Sequence, residues 1–493
     1  MRDAIVFSLV WVLGAWCLGC DGNPSLPPSS QQSRAPVFCD PFAPAAGEPM
    51  SIERARDAHR WAELRRHLRM REALDPGHFM RQSAAVADPQ RIDAGEVSCK
   101  TLRDIGRLLF THDFTAQDGH TEPLRRVHRG DEGGPETHNC RSCHWRGGEA
   151  GAGAVLDNIF LLGDGDRISS ADPRNPPPLL GLALVQMLAQ EMSASLEADR
   201  AQALRRARAT GEAVAVDLQT KGVSFGRLVA MPDGTLDTSG VEGVDADLVV
   251  KPFGWKGNFS TMRQFVRDSV SVHFRLPTER DGVPLTEGQV TSLLLFLATL
   301  PLPQVTIPER IPDLPSIAEP IPRPPSFDFS DDWSRGHALF ESAGCAGCHR
   351  PTLVLDSPVF VMEAGPSGWP VAIDLSQDIE PPLLSYDAGL GGYPVHLFSD
   401  LKRHNMGPEA ASQHVHRGVA VDQYLTRRLW GLNGSAPYFH DGRAPFIDHA
   451  IAAHTGEGEA ARRAFESLDF GQKADLRIFL MSMRRPLVVT IPD

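Results

Sequence analysis

Two segments of the chain each set a pair of thiols three positions apart and follow the second thiol at once with an imidazole. They are Cys140-Arg-Ser-Cys143-His144 and Cys345-Ala-Gly-Cys348-His349. Thiols at that spacing can add to the two vinyl groups of one porphyrin while the adjacent histidine reaches its iron, because two thioethers and one imidazole must converge on a single macrocycle. A zinc site built from two Cys-x-x-Cys pairs, or a redox dithiol, would use the same thiols. Neither accounts for a histidine directly after both pairs. The spacing therefore predicts two covalently bound haem c groups, with His144 and His349 as iron ligands, and a redox function.

Covalent haem attachment takes place outside the cytoplasm, and the N-terminus agrees. Ala4 to Leu18 is an apolar run, too short to span a bilayer comfortably and suited to the core of a signal peptide over residues 1–19. Leu18-Gly19-Cys20 is similar to a bacterial lipobox, in which Cys20 becomes the lipid-anchored first residue; an ordinary cleaved signal or a short uncleaved anchor is the alternative. Either way the expected location is periplasmic, with membrane contact only through the anchor. Of the 8 cysteines, Cys39 and Cys99 remain once the signal, anchor and haem thiols are assigned, and an oxidising compartment lets them pair. A formal charge of −13 argues against nucleic acid as a partner and permits docking of a small basic electron carrier.

Several elements must position these groups. Residues 20–50 read as a Pro- and Ser-rich tether, and 51–99 as a helical extension that includes a charged helix over Ser51–Ala73. The first haem domain, 100–300, opens with an amphipathic helix at Leu102–Phe110. After Pro176-Pro177-Pro178 the pattern predicts a long helix over Leu179–Thr210 and a small β-hairpin over Ala213–Ala230, with Pro232-Asp233-Gly234 as its turn signal. Helices are predicted again at Ser260–Phe274 and Leu285–Leu300. Nine prolines between Pro301 and Pro325 mark residues 301–330 as an extended strap, before a second haem domain over 331–493 that closes with a helix at Gly471–Met483.

Longer motifs carry a family resemblance. Ile105-Gly-Arg-Leu-Leu-Phe110 and Ala436-Pro-Tyr-Phe-His-Asp-Gly-Arg443 resemble segments of bacterial di-haem cytochrome c peroxidases. Arg174-Asn-Pro-Pro-Pro-Leu-Leu-Gly181, Lys251-Pro-Phe-Gly-Trp-Lys-Gly257, Asp400-Leu-Lys-Arg-His-Asn-Met-Gly407 and Leu429-Trp-Gly-Leu432 are closer to the di-haem oxidoreductase branch, some members of which are labelled thiol oxidoreductases. The resemblance keeps motif order from about residue 100 to 485. It implies a mainly α fold of two cytochrome c-like haem domains packed face to face, with the hairpin as an insertion.

The resemblance also implies roles. His454 stands where the peroxidases have a distal methionine and the related methylamine dehydrogenase maturation enzyme has a tyrosine, so it is expected as sixth ligand of the second haem; His404 or Met406 is the alternative. Between Trp145 and Val272 there is no histidine, and the peroxidases' distal histidine is missing before Arg174. His273 falls near the peroxidases' distal acid–base glutamate and could move a proton, ligate the iron, or pack. Trp255 matches the tryptophan placed between the haems, or is a core residue beside a turn. Asn175, Ser435 and Pro437 match residues that hold a calcium between the haems, while His440 and Arg443 are expected at haem propionates or the inter-haem gap, or bracing a turn.

The expected function is a periplasmic di-haem oxidoreductase that activates hydrogen peroxide or another small oxidant at the first haem. The second haem would act as the electron-transfer centre, and a small cytochrome or cupredoxin would supply electrons. A tailoring oxidase acting on a partner protein, and a plain electron-transfer cytochrome with both irons six-coordinate, are the competing classes.

Overall fold

A computed structural model describes residues 66–276, 285–302 and 329–484, apart from short stretches at 76, 121–123, 131–132, 135, 363–370 and 379–381, together with the strands at 37–38 and 304–305. The expected signal, anchor and tether, most of the Ser51–Ala73 helix and nearly all of the proline-rich strap lie outside the described residues.

Residues 66–74 are helical, followed by α1 (His78–Val86), α2 (Pro89–Asp93) and α3 (Cys99–Thr111). In α3 the buried residues are Leu102, Ile105, Gly106, Leu109 and Phe110, the spacing of one apolar stripe on a 3.6-residue helix, and Ser98 caps its N-terminus by accepting from Thr101 N. After the first thiol pair come α4 (Leu182–Thr210), α5 (Met262–Phe274) and α6 (Glu287–Ala298). Around the second pair lie α7 (Ser330–Ser342), α8 (Ile447–Ala452), α9 (Glu459–Ser467) and α10 (Phe470–Met481).

Each thiol motif hangs from a pair of closely crossing helices. Helix α3 packs on α6 and α7 packs on α10. A Cβ on Gly106 would fall 1.9 Å from Ser292 O, and one on Gly336 would fall 2.1 Å from Asp475 O. Both crossings therefore bring backbone against backbone, and only glycine permits it. Four positions after each glycine a buried phenylalanine, Phe110 or Phe340, reaches the site wall.

Strand is commoner than a mainly α reading expects, and the content is mixed. The strands are short, and they pin the loops that surround the thiol motifs. β2 (Val127–Arg129), β3 (Ile159–Gly163) and β4 (Asp172–Arg174) form one sheet in that order. The hairpin is β5 (Val214–Thr220) and β6 (Val223–Ala230), extended by β7 (Leu236–Asp237). Its tight turn is Lys221-Gly222, both with positive φ as a two-residue turn between twisted strands requires; Pro232-Asp233-Gly234 instead leads from β6 to β7. Ala230 packs on Ala203 and Ala207 of α4, which seats the hairpin on the far end of that helix.

The second half adds four further small sheets. β1 (Val37–Phe38) pairs in parallel with β11 (Val371–Asp374), which also pairs with β10 (Val359–Met362). β9 (Leu353–Leu355) pairs with β12 (Tyr393–Val395), and β13 (Arg403–Asn405) with β14 (Gln423–Leu425). β8 (Gln304–Val305) pairs with β15 (Met483–Arg484). Cys99 is disulfide-bonded; its expected partner, Cys39, lies outside the described residues.

Candidate functional site

Both thiol motifs sit on short helical turns whose geometry is set locally. Asn139 caps the first by accepting from Ser142 N, and the imidazole is drawn in by the backbone bond from His144 N to Cys140 O. At the second, Gly344 takes φ +83° to turn the chain and His349 N donates to Cys345 O at 2.9 Å. All four cysteines are free thiols. Burial pushes Cys140 and Cys143 up to about 12 and Cys345 to about 11, so these thiols are held protonated.

Each motif opens into its own mainly apolar cavity. In both, the histidine Nδ1 is tied to a backbone carbonyl: His144 to Gly151 O at 3.2 Å, and His349 to Phe398 O at 3.1 Å. That bond places the proton on Nδ1 and leaves Nε2 with a free lone pair, the state in which imidazole ligates a metal. Burial holds both histidines near pKa 4, hence neutral. Paired thiols, a neutral oriented imidazole and an apolar cavity fit a haem at each site.

The cavities differ opposite the histidine. In the second, His454, at the end of α8, faces His349 with ring centroids 6.3 Å apart, and its own Nδ1 is tied to Ala450 O at 2.7 Å. An imidazole centroid lies about 1 Å behind its ligating nitrogen, so two rings sharing one metal at about 2 Å stand about 6 Å apart. His404, the alternative ligand, has both nitrogens occupied: Nε2 by Asp400 at 2.8 Å and Nδ1 by Glu457 at 2.7 Å. Burial opposes its charge, but Asp400 leads the groups that outweigh it and raise His404 to about 11. It is a buried imidazolium with no lone pair to give. Met406 lines the same cavity.

In the first cavity His273 of α5, which lines the wall together with His416, is turned through Nδ1 to Glu136 Oε2 at 3.2 Å. Burial works to lower the pKa of His273, but the Glu136 carboxylate outweighs it and holds the imidazole above its ordinary value. The other oxygen of Glu136 contacts His128. Glu136 and His128 carry no motif signature: the carboxylate stands four residues before Cys140, and its partner His273 is 137 positions away.

A common wall separates the cavities. Asn175, Pro176, Pro177, Pro178 and Trp255 line both, as do Arg427 and Arg428. Trp255 Nε1 donates to Asn175 O at 2.9 Å, and the Arg427 guanidinium lies 4.7 Å above its ring. Sequence reasoning missed both arginines. Burial lowers Arg427 to about 10, yet both remain cations at neutral pH, suited to anionic groups in a cavity. Their adjacency in Thr426-Arg427-Arg428-Leu429 is the only sequence signal for them.

His440 borders the second cavity, edge-on to Trp255 and stacked on Tyr424 at 4.5 Å. Burial, then the nearby Arg174 and Arg443, depress it to about 2. Arg443 pairs with Asp441, donates to Glu409 O and approaches His440 Nε2 at 3.1 Å, which places it behind the wall of the second cavity. Asn175, Ser435 and Pro437 come together at the second cavity, with Asn175 Nδ2 3.4 Å from Pro437 O and Asn175 Oδ1 buried without a hydrogen-bond partner. The Ser435 hydroxyl is spent on Gly431 O.

Residues 328–483 match the family described as "Di-haem oxidoreductase, putative peroxidase". The match covers the second thiol motif, His404, Trp430, His440 and His454, the C-terminal part of the motif-based resemblance. No curated protein sequence matches the chain. A solved structure, Kuenenia stuttgartiensis hydrazine synthase pressurized with xenon, is similar at 14% identity over 57% of this chain and 87% of that one, with a TM-score of 0.25, too low to bear on the fold or the site. Over residues 328–483, about a third of the chain, the protein is thus similar to the di-haem oxidoreductase family, which supports a haem oxidoreductase in general terms.

Proposed function

We propose that the protein is a periplasmic c-type di-haem oxidoreductase, built of two cytochrome c-like halves, that reduces hydrogen peroxide at the N-terminal site with electrons passed through the C-terminal one. The observation that carries this reading is the asymmetry of the cavities. In the second, the motif imidazole faces another imidazole at ligand spacing; in the first, the wall carries His273 paired through Nδ1 with the Glu136 carboxylate.

When bound, the haems supply reductive O–O cleavage at the first site and electron transfer at the second. Cys140 and Cys143, and Cys345 and Cys348, would hold them as thioethers; His144 and His349 would be the proximal ligands and His454 the distal ligand of the second. Reduction of peroxide to two waters consumes two protons and two electrons. The His273–Glu136 pair, facing the first cavity, can hold and deliver a proton at His273. Trp255, in the wall shared by the cavities, offers an indole as a stepping point for electrons, which a small cytochrome or cupredoxin would provide. Asn175 Oδ1 and the carbonyls of Ser435 and Pro437 are oxygen donors suited to a calcium in that wall, and the unpartnered Oδ1 supports such a site. The signal segment and a lipid on Cys20 would place the enzyme at the periplasmic face of a membrane.

Low-temperature EPR of the oxidised protein, before and after stoichiometric peroxide, tests this. One high-spin and one low-spin ferric signal, both lost on peroxide addition, are expected. Two low-spin signals indifferent to peroxide would turn the assignment to an electron-transfer cytochrome.

A further inference from the structure

Beside the first haem cavity lies a cluster that haem binding does not explain. His128 on β2 is fully buried, Glu136 stands in the loop before Cys140 with a side chain 4% exposed, and His273 ends α5 at 28%. One donor atom from each lies within 4.8 Å of the other two. Both oxygens of Glu136 are engaged by imidazoles, one by His128 and the other by His273. The His128 ring is pressed onto Gly133, where a Cβ would fall 1.9 Å from Cε1 and 2.1 Å from Nδ1, so its position is fixed by backbone contact.

As a purely hydrogen-bonded cluster this arrangement is incomplete. A carboxylate between two imidazoles satisfies one nitrogen of each. His128 Nδ1 is then left buried with no hydrogen-bond partner, a state that buried polar atoms seldom keep. Two imidazoles and one carboxylate converging within metal-ligand reach are the donor set that first-row divalent ions take, with open positions left for other ligands. Here those positions face the cavity, since Glu136 and His273 line it while His128 stands behind them. We propose that His128, Glu136 and His273 form a mononuclear site for a first-row divalent metal ion of the Zn²⁺, Mn²⁺ or Fe²⁺ class, separate from both haem irons and opening onto the first cavity.

A bound cation takes the Glu136–His273 pair out of proton exchange, so peroxide turnover falls as the ion loads. That consequence rests on the peroxide reading above; the binding itself does not.

The test uses the full-length holoprotein, treated with chelator and titrated with Zn²⁺ alone, with metal per chain measured by mass spectrometry after desalting. One equivalent beyond the two haem irons is expected, with affinity at least tenfold weaker in His128→Ala at unchanged haem content. Glu136→Gln keeps the size and hydrogen bonds of the side chain while removing its charge, and serves if His128→Ala does not fold; it should lose affinity to a similar degree. No equivalent above the irons, or equal binding by wild type and variants, overturns the site. Because the readout is bound metal, a protein inert to peroxide can still show the site, and an active one can still lack it.

Discussion

His404→Leu is the substitution that best separates the two histidines competing for the second site. His404 holds Asp400, whose side chain is 3% exposed, and Glu457, whose side chain is 50% exposed. Removing one partner of a buried ion pair strands the other charge and costs about 3–5 kcal/mol, whereas the half-exposed pair is worth at most about 1 kcal/mol. With a urea m-value of about 3 kcal/mol/M, the denaturation midpoint of the holoprotein should fall by about 1 to 2 M.

The sign with pH follows from the raised pKa. Against burial, Asp400 holds His404 above its ordinary value in the fold, compared with about 6.5 unfolded. Its contribution is therefore complete below about pH 6.5 and lost as pH rises through the raised value, so the gap between wild type and variant should be wide at about pH 6 and narrow at alkaline pH. The double variant His404→Leu/Asp400→Leu should recover most of the loss, since no buried charge is then left unpaired. Low-spin EPR of the second haem should persist in the single variant. Loss of that signal with an unchanged urea midpoint would refute the reasoning and make His404 the ligand.

Three further outcomes follow from the geometry. His454→Gly should convert the second haem to a high-spin or water-ligated form; retention of a bis-histidine spectrum would show that another histidine binds there. Trp255→Phe should leave both haem spectra intact and slow electron exchange between the haems at least tenfold in flash-photolysis kinetics, and an unchanged rate would remove the relay role. Gly106→Ala, which sets a methyl 1.9 Å from Ser292 O, should cost about 1–3 kcal/mol by overpacking, read as a lower thermal midpoint; wild-type stability would mean that the α3–α6 crossing relaxes freely.

Much of the architecture was legible in local pattern. The stripe of Leu102, Ile105, Leu109 and Phe110 gives α3 to within three residues at its start and one at its end, and the long apolar-then-charged run after Pro178 gives α4. The hairpin was legible as two alternating runs, but its turn was assigned to the more familiar Pro-Asp-Gly. Lys221-Gly222 closes it instead, because the register of β5 against β6 requires two consecutive positive φ values there. The short sheets around the sites escaped notice. Strands of two to five residues carry too few side chains to show a period, and their partners lie far away in sequence, as β1 does from β11.

The sequence by itself carries the proposed attachment chemistry: two thiols and an imidazole within five residues need only local backbone to converge on one porphyrin. It also placed Trp255 and the Asn175–Pro178 run in a shared context, through motif order. Only the tertiary structure decided what stands opposite each proximal histidine. His404 and His454 both lie in motif-bearing segments, and nothing local says that Asp400 and Glu457 consume the first while Ala450 O frees the second. Likewise Glu136 and His273 meet across 137 positions, and Arg427 settles over Trp255 from a distant strand end. The proposed covalent attachment rests on spacing along the chain. Distal chemistry depends on which buried charges find each other, and that is set by packing over long sequence separations.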